Sequence, residues 1–220
     1  MLNPPPLVSV ILCVYNRIRL LPRALNSVIN QTFKDYELII VDDGSTDKIN
    51  ELISSSLNER LNYTYIRHDT NSGISMSRNT GVKASQGKYI TFIDSDDEYK
   101  NIHLEKMIEI MKDKPEIDFI HSFPEVVGDE KDDMWLPSIE GNNKLIHIND
   151  CVFGATFFAK KEVFREMGGY KNVSFSEDGD FFKRLSLLNK FKIYKAKEKT
   201  YIYYRNVEDS ICNILKRINS

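Results

Sequence analysis

The feature that most constrains the fold is a regular alternation of short apolar runs and amphipathic segments. Residues 7–14 are almost continuously apolar and rich in β-branched side chains, which is typical of a strand buried on both faces. The next segment places Leu21, Leu25 and Val28 on one face of a helix. The same order repeats through residue 115, so the sequence predicts an α/β fold with a mostly parallel sheet and helices on both faces.

The periodicity predicts elements along the whole chain, with a less regular second half. The predicted strands are 7–14, 36–41, 61–67, 89–93, 119–125, 151–159, 191–194 and 200–204. The predicted helices lie near 21–29, 49–57, 75–85, 102–111, 161–167, 177–188 and 210–218, and 128–149 is expected to be a long surface loop. We predict one domain over 1–220, with a nucleotide-binding half at 7–115, an acceptor half at 116–205 and a C-terminal helix in 206–220.

Composition narrows the class of protein. The 220 residues carry a net charge of −2, which argues against a broad basic surface for nucleic acid. The three cysteines, Cys13, Cys151 and Cys212, lie too far apart for a metal knuckle and fit a reducing, cytoplasmic compartment. No run of 18 apolar residues is present in the sequence, so we expect no membrane span.

Carboxylates stand where two predicted strands end. Asp42 and Asp43 follow one strand, and Asp94, Asp96 and Asp97 follow another. Ligands of open α/β sheets bind at the carboxyl ends of strands, and hard carboxylate oxygens suit Mg²⁺ or Mn²⁺. Each cluster could also be a turn that caps the following helix, but three acidic residues in four positions favour a metal and diphosphate site over a simple cap.

Six motifs in order resemble the family-2 glycosyltransferases, which are inverting enzymes of the GT-A fold. The resemblance covers residues 7–205 and is carried by Val8-Ser9-Val10-Ile11 with Tyr15-Asn16-Arg17, Val41 to Asp47, Gly73 with Ser77 to Gly81, Phe92 to Asp97, Gly168-Gly169-Tyr170 and Ser176-Glu177-Asp178. It implies transfer of a sugar from a nucleoside-diphosphate sugar, with UDP-sugars favoured, to a hydroxyl of a glycan or lipid-linked acceptor. It also implies Mn²⁺ or Mg²⁺ as cofactor and a role in polysaccharide or cell-envelope synthesis.

The resemblance assigns donor-site roles to particular residues. Tyr15, with Asn16 beside it, would lie against the nucleobase. Asp43 would accept a hydrogen bond from the base, while Asp42 would be structural or lie near the ribose. Arg78 would contact the diphosphate or, as an alternative left open, form an exposed salt bridge.

The resemblance assigns the metal ligands and the catalytic base to residues of the acidic motifs. Asp96 would ligate the metal directly, and Asp94 would contact the ribose or the water shell of the metal. Asp178 would be the general base that takes the proton of the acceptor hydroxyl, because such a hydroxyl has a pKa far above 7. Without the other motifs, Glu177-Asp178 would be read as a helix N-terminus favoured by the helix dipole. Asp180 is expected to be structural or to contact the acceptor.

Two departures from the family pattern bear on mechanism. The family often has Tyr-Arg-X-His near the end of the catalytic region, but this chain has Val207 at the histidine position and loses that metal ligand. The Gln-X-X-Arg-Trp motif of processive members is missing, and the only tryptophan is Trp135, so a single-addition enzyme is expected. Lys216 and Arg217, among apolar residues of the C-terminal helix, would allow peripheral contact with the inner face of a membrane.

Two other functions remain open. A nucleotidyltransferase would also use strand-end carboxylates, although residues 13–17 lack the glycine-rich loop that it needs. A non-catalytic module that binds a sugar nucleotide or glycan is the second alternative, and the presence of both Asp96 and Asp178 argues against it.

Overall fold

The computed structural model describes residues 4–57, 61–128, 134–137, 145–173 and 176–207. The strands in these residues are β1 (Val8–Val14), β2 (Tyr36–Asp42), β3 (Tyr63–Arg67), β4 (Tyr89–Asp94), β5 (Glu98–Tyr99), β6 (Phe119–Ser122), β7 (Glu125–Val127), β8 (Trp135–Pro137), β9 (Leu145–His147), β10 (Phe158–Lys160), β11 (Ile193–Ala196) and β12 (Tyr201–Tyr204). The helices are α1 (Leu21–Ile29), α2 (Ile49–Ser56), α3 (Ile74–Ala84), α4 (His103–Asp113), α5 (Lys161–Glu166) and α6 (Glu177–Leu188).

A central sheet joins the two halves of the chain. Its seven strands in the described residues run in the order β11-β6-β10-β4-β1-β2-β3. β1 pairs in parallel with β2 and β4, and β2 with β3. β10 is antiparallel to both of its neighbours, while β11 is parallel to β6. The predicted α/β class with a mostly parallel sheet is therefore confirmed.

Apolar residues of β1 enter two cores on opposite faces of this sheet. Val10 and Leu12 pack in the core that contains α1, α2 and α4. Ile11 and Cys13 pack in the core that contains α5 and α6. Because successive side chains of a strand point to opposite faces, a strand covered by helices on both sides is expected to be almost entirely apolar. Ser9 is the polar exception in β1, and its hydroxyl donates to Glu37 Oε1 at 2.6 Å.

The predicted surface loop at 128–149 is only partly correct. β8 and β9 form an antiparallel hairpin in which Trp135 pairs with His147 and Leu136 with Ile146. A 3₁₀ turn at Ile148–Asp150 follows. Strands of three residues are too short to give a readable alternation of apolar and polar side chains, so the sequence pattern missed them.

The predicted strand at 151–159 is wrong over most of its length. A 3₁₀ turn occupies Gly154–Thr156, and the strand is confined to β10. The Thr156 hydroxyl donates to the carbonyl groups of Ser122 and Phe153, at 3.0 and 2.8 Å. These side-chain bonds satisfy backbone groups that a strand would have paired, and they hold the irregular course.

The other predicted elements within the described residues match within a few residues, with one further difference. The single strand predicted at 119–125 is divided into β6 and β7, because Pro124 has no N–H to donate to a ladder. β7 joins β12 and β5 in a separate small sheet. The predicted helix at 210–218, with its membrane contact, lies outside the described residues. Among the helices that the structure describes, none combines the length and apolar character needed to cross a bilayer.

Candidate active site

A cavity of about 650 Å³ lies at the carboxyl ends of β1 and β4. Most of the predicted site residues line it: Tyr15, Asp43, Arg78, Asp94, Asp96 and Asp178. Asn16 and Asp42 are not among its lining residues. Carboxylates separated by up to 135 positions in the chain therefore meet around one cavity, as expected for a ligand site at strand ends.

Asp42 is a structural residue of the loop that follows β2. Its side chain is fully buried and accepts hydrogen bonds from the Ser45 N–H at 2.8 Å, the Tyr65 hydroxyl at 2.6 Å and Arg67 Nη1 at 3.0 Å. Burial raises the pKa of Asp42, but the bonds from Ser45 and Tyr65 and the charge of Arg67 outweigh it and hold the pKa below its usual value. Of the two predicted roles, the structural one fits, and a ribose contact does not.

Asn16 connects the loop after β1 to the loop after β2, and the preceding residue, Tyr15, lines the cavity. Its backbone has a positive φ of 51°, its N–H donates to Ser45 Oγ at 3.0 Å, and its side-chain oxygen accepts from the Thr46 N–H at 2.7 Å. These bonds give Asn16 a positioning role between the two loops, and its predicted nucleotide contact stays a prediction. Tyr15 is 44% exposed and lines the cavity, where its ring is available to a base.

Asp43 holds the segment between β3 and α3. Its Oδ1 accepts from the Ser72 N–H at 2.9 Å and lies 2.7 Å from His68 Nδ1, and its Oδ2 accepts from the Gly73 N–H at 2.8 Å. A carboxylate has about four lone-pair positions, so Oδ2 retains one for a ligand donor. A side chain at Gly44, whose φ is +76°, would come within 2.7 Å of the backbone there.

The acidic turn after β4 divides its three carboxylates between two tasks. Asp97 is buried and accepts from the Tyr201 hydroxyl at 2.6 Å and the Tyr204 N–H at 2.9 Å, which fastens β12 to the turn. Burial, together with the negative charges of Asp96 and Asp94, raises the pKa of Asp97. All three residues line the cavity, and the Asp97 carboxylate is the one that these two bonds engage.

Asp94 and Asp96 fit a metal site that a ligand must complete. Burial and the adjacent charge of Asp94 raise the pKa of Asp96 to about 6, which indicates a carboxyl group short of compensating positive charge. No group of three or more His, Cys, Asp or Glu side chains in the described residues is arranged to hold a metal ion. Mg²⁺ and related ions commonly bind through one or two carboxylates and take their other ligands from water and phosphates. The donor set agrees with that mode.

Arg78 joins the acidic turn to α6. Its side chain is almost completely buried, Nη1 donates to Glu177 Oε1 at 2.6 Å, and Nη2 donates to Asp94 Oδ1 at 3.1 Å. Burial alone would lower the pKa of Arg78, but the charges of Glu177 and Asp94 raise it well above its usual value. The predicted alternative of an exposed salt bridge is wrong because the pair is buried. Each terminal nitrogen donates one of its two N–H groups to a carboxylate, and the diphosphate contact stays a prediction.

Asp178 is fixed at the start of α6. Its Oδ2 accepts from the Gly154 N–H at 2.8 Å, and its Oδ1 accepts from the Gly179 N–H at 2.7 Å. A Cβ added at Gly154 would lie 2.6 Å from Arg78 Nη1 and 2.8 Å from Asp178 Cβ. Only a glycine allows this approach, and it sets the direction of the Asp178 carboxylate.

Asp180 does not share the site. Its carboxylate accepts from Arg184 Nε at 2.8 Å, and Arg184 also donates to the carbonyl groups of Met167 and Gly169. Asp180 is absent from the lining of the cavity. The structural role fits Asp180, and the acceptor contact does not.

Several site residues were not assigned a role from sequence. The sequence pattern predicts Glu177 only as part of a helix N-terminus, and it places Gly154 within a predicted strand. Tyr201 and Tyr203 also line the cavity. For Glu177, its position beside Asp178 is a sequence signal of a role in the site. The roles of Gly154, Tyr201 and Tyr203 depend on contacts between distant segments, which a local sequence pattern does not reveal.

Comparison with known proteins places the chain in a family. The family described as "Glycosyl transferase family 2" matches residues 9–168. An uncharacterized glycosyltransferase of Haemophilus influenzae is 31% identical over 212 residues, which are 93% of this chain and 71% of that protein. The putative teichuronic acid biosynthesis glycosyltransferase TuaG of Bacillus subtilis is 38% identical over 116 residues, 52% of this chain and 45% of TuaG. The chain covers only 19% of a Rickettsia bellii relative that is 38% identical over 137 residues.

Solved structures agree on the fold. TarS residues 1–349 of S. aureus in complex with UDP superimposes with a TM-score of 0.74 at 23% identity, covering 90% of this chain and 60% of that chain. The mannosyltransferase PcManGT of Pyrobaculum calidifontis, in complex with GDP-Man and Mn²⁺, gives 0.71 at 16% identity, covering 99% and 66%. The architecture is that of the GT-A glycosyltransferases. With the family match extending from β1 to the glycine pair after α5, this chain belongs to glycosyl transferase family 2.

Proposed function

We propose that the protein is an inverting glycosyltransferase that moves one sugar from a UDP-sugar to a hydroxyl of a glycan or lipid-linked saccharide. The observation that carries the proposal is that Asp43, Asp96 and Asp178, far apart in the chain, line a single cavity. In this arrangement, one cavity would contain a hydrogen-bond acceptor for the nucleobase, a metal ligand and a general base.

The donor is proposed to bind through its base, its diphosphate and a cation. Tyr15 offers a half-exposed ring to the base, and Asp43 Oδ2 keeps a lone pair for a base N–H. TarS has been solved with UDP and UDP-GlcNAc, and PcManGT with GDP-Man, which supports a nucleotide-sugar donor without fixing the sugar. A hexosyl or N-acetylhexosaminyl group is the proposed cargo.

Asp178 is proposed to act as the general base. Its two carboxylate oxygens accept N–H groups of Gly154 and Gly179, so the side chain is held in one orientation before the acceptor arrives. The acceptor oxygen attacks the anomeric carbon, the bond from that carbon to the diphosphate oxygen breaks, and the hydroxyl proton passes to Asp178. A single displacement of this kind inverts the anomeric configuration, and no covalent enzyme intermediate is required.

Asp94 and Asp96 would hold Mn²⁺ or Mg²⁺ at the diphosphate. When bound, the ion would act as a Lewis acid that stabilises the charge developing on the leaving diphosphate. Arg78 would keep Asp94 oriented toward the cavity by donating to one of its oxygens. Val207 is buried, and its side chain has no atom that could ligate the ion in place of a histidine at that position.

The acceptor and the location of the enzyme are also proposals. The name of TuaG supports a place in cell-envelope polysaccharide synthesis. We propose that the enzyme acts in the cytoplasm, at or near the inner face of the membrane. Both UDP-sugars and a lipid-linked acceptor would be available to it there. Single addition fits the lack of the processive motif in the sequence.

Titration calorimetry of UDP with and without Mn²⁺ tests the donor part of the proposal. The wild-type protein should bind UDP more tightly with Mn²⁺, and Asp96→Ala should lose that dependence. Asp113→Ala is the matched control, because Asp113 is an exposed carboxylate at the end of α4 and does not line the cavity. Equal UDP affinity in Asp96→Ala and the wild type with Mn²⁺ would remove the metal role from Asp96.

A further inference from the structure

One part of the cavity lining is apolar and aromatic. Residues of the second half of the chain form it, and we refer to this set as the apolar wall: Leu136, Ile146, Val152, Phe153 and Tyr203. Leu136 and Ile146 are a cross-strand pair of the β8–β9 hairpin. Phe157 and Phe158, only a few residues further on, are fully buried in the two cores instead. Val152 and Tyr203 also pack against the edges of the cores, and all five residues of the apolar wall line the cavity.

The apolar wall adjoins the proposed base. The rings of Phe153 and Tyr203 have centroids 5.7 Å apart and are inclined by 56°. Phe153 immediately precedes Gly154, whose N–H holds Asp178 Oδ2 at 2.8 Å. A molecule that rests on these rings would thus present its polar edge next to the Asp178 carboxylate.

The charges around the apolar wall are negative. Among the described lining residues, the second half of the chain contributes Asp150, Glu177 and Asp178 as its charged side chains. The lining cations, Arg17 and Arg78, come from the first half, and Arg78 is engaged by Glu177 and Asp94. Arg205 lies against Tyr203 and donates to its hydroxyl at 3.3 Å, but it does not line the cavity. An anionic group placed on the apolar wall would therefore face mainly the negative charges of the lining, and their repulsion increases in a medium of low dielectric constant.

We propose that the apolar wall is the acceptor subsite and that it selects a neutral sugar ring. A pyranose presents a face of C–H groups that can cover the rings of Phe153 and Tyr203, while its edge carries the hydroxyl that must reach Asp178. Aromatic walls with a few fixed polar groups are the usual composition of small-molecule sites, and burying an apolar face on a ring stabilises binding. This inference rests on the proposed function and adds that phosphate- or carboxylate-bearing acceptor rings are disfavoured.

Ligand-detected NMR on the protein saturated with UDP and Mg²⁺ tests the assignment. The probes are phenyl β-glycosides of glucose, galactose and N-acetylglucosamine, compared with phenyl β-glucuronide, which differs from the glucoside by one carboxylate. At least one neutral glycoside should show saturation transfer to its ring C–H protons and bind more tightly than the glucuronide. Phe153→Ala should weaken that glycoside roughly tenfold. Phe153→Tyr, which keeps the ring, should retain most of the affinity.

Two controls separate this inference from the proposed function. Tyr63→Ala removes a partly exposed ring from β3, outside the cavity, and should leave glycoside binding unchanged. UDP affinity should be the same in Phe153→Ala and the wild type, which also shows that the variant is folded. A protein that binds UDP but binds no neutral glycoside, prefers the glucuronide, or binds glycosides equally well in Phe153→Ala would overturn the subsite while leaving the donor site intact. Failure to bind UDP would count against the proposed function itself.

Discussion

Arg78 Nη1 lies 2.6 Å from Glu177 Oε1, and this buried ion pair joins the two halves of the sequence at the site. Arg78 belongs to α3, beside the donor motifs, whereas Glu177 opens the helix that carries Asp178. The second terminal nitrogen of Arg78 reaches Asp94 at 3.1 Å. One guanidinium therefore fixes the relative positions of the acidic turn and the proposed base.

Removal of Arg78 should destabilise the fold. Arg78→Met leaves Glu177 buried without its counter-charge, and breaking a buried pair in this way typically lowers the free energy of unfolding by about 3–5 kcal/mol. The double variant Arg78→Met/Glu177→Gln should recover part of that loss, because the uncompensated charge is gone. Urea unfolding measures both. Lys48→Met is the control, since the Lys48–Glu51 pair is exposed and should contribute less than about 1 kcal/mol. A double variant no more stable than Arg78→Met would contradict this account.

Gly154→Ala should impair sugar transfer while leaving the donor site in place. The added methyl group would lie 2.8 Å from Asp178 Cβ and 2.6 Å from Arg78 Nη1, so both side chains or the segment that carries residue 154 must shift. A displaced base loses reactive geometry, and we expect a fall in kcat of about tenfold or more. Steady-state kinetics and UDP calorimetry together check this prediction. Unchanged kcat would show that the contact with Gly154 does not orient Asp178.

Asp42→Asn and Asp43→Asn should have separable effects although the residues are neighbours. Asp42 serves Ser45, Tyr65 and Arg67 inside the fold, so Asp42→Asn should lower the free energy of unfolding by about 1–3 kcal/mol. Asp43 lines the cavity, so Asp43→Asn should weaken UDP binding more than Asp42→Asn does. Thermal unfolding with and without UDP distinguishes them. Equal loss of UDP affinity in both variants would argue against this division.

His103 should make the protein sensitive to mild acid. Burial lowers the pKa of His103 to about 3, and its ring stacks on Tyr99 with centroids 3.9 Å apart. Because the unfolded chain binds the proton near pH 6.5 and the folded chain does not, this stability is present above that pH and is lost as the pH falls toward 3. From pH 6 to 4, the loss attributable to His103 should be about 2 kcal/mol.

Comparison with His103→Phe isolates that contribution, since phenylalanine keeps a ring against Tyr99 but has no titrating group. Urea unfolding at pH 6, 5 and 4 should show a steeper fall for the wild type than for the variant. Parallel stability profiles would mean that His103 is protonated in the folded protein or exposed to solvent.

The sequence predicted the parts of the fold that repeat. Buried strands such as β1 and amphipathic helices such as α1 and α4 have periods that a single sequence reveals, and their strand-end carboxylates could be placed from topology. The backbone conformation around Gly154 could not be predicted from sequence, because it depends on hydrogen bonds with the side chains of Thr156 and Asp178. The different roles of Asp42 and Asp43 also could not be predicted, because they depend on hydrogen-bond partners more than 20 residues away in the sequence.

The most direct test of the central claim is the rate of sugar transfer by Asp178→Asn compared with its affinity for the donor. Asparagine keeps the size of the side chain but cannot take the proton of the acceptor hydroxyl. With a UDP-sugar, an accepted glycoside and Mn²⁺, the variant should bind UDP within about twofold of the wild type. Its kcat should be lower by a factor of about 10²–10⁴. Transfer at the wild-type rate by a variant that binds UDP normally would show that Asp178 is not the base.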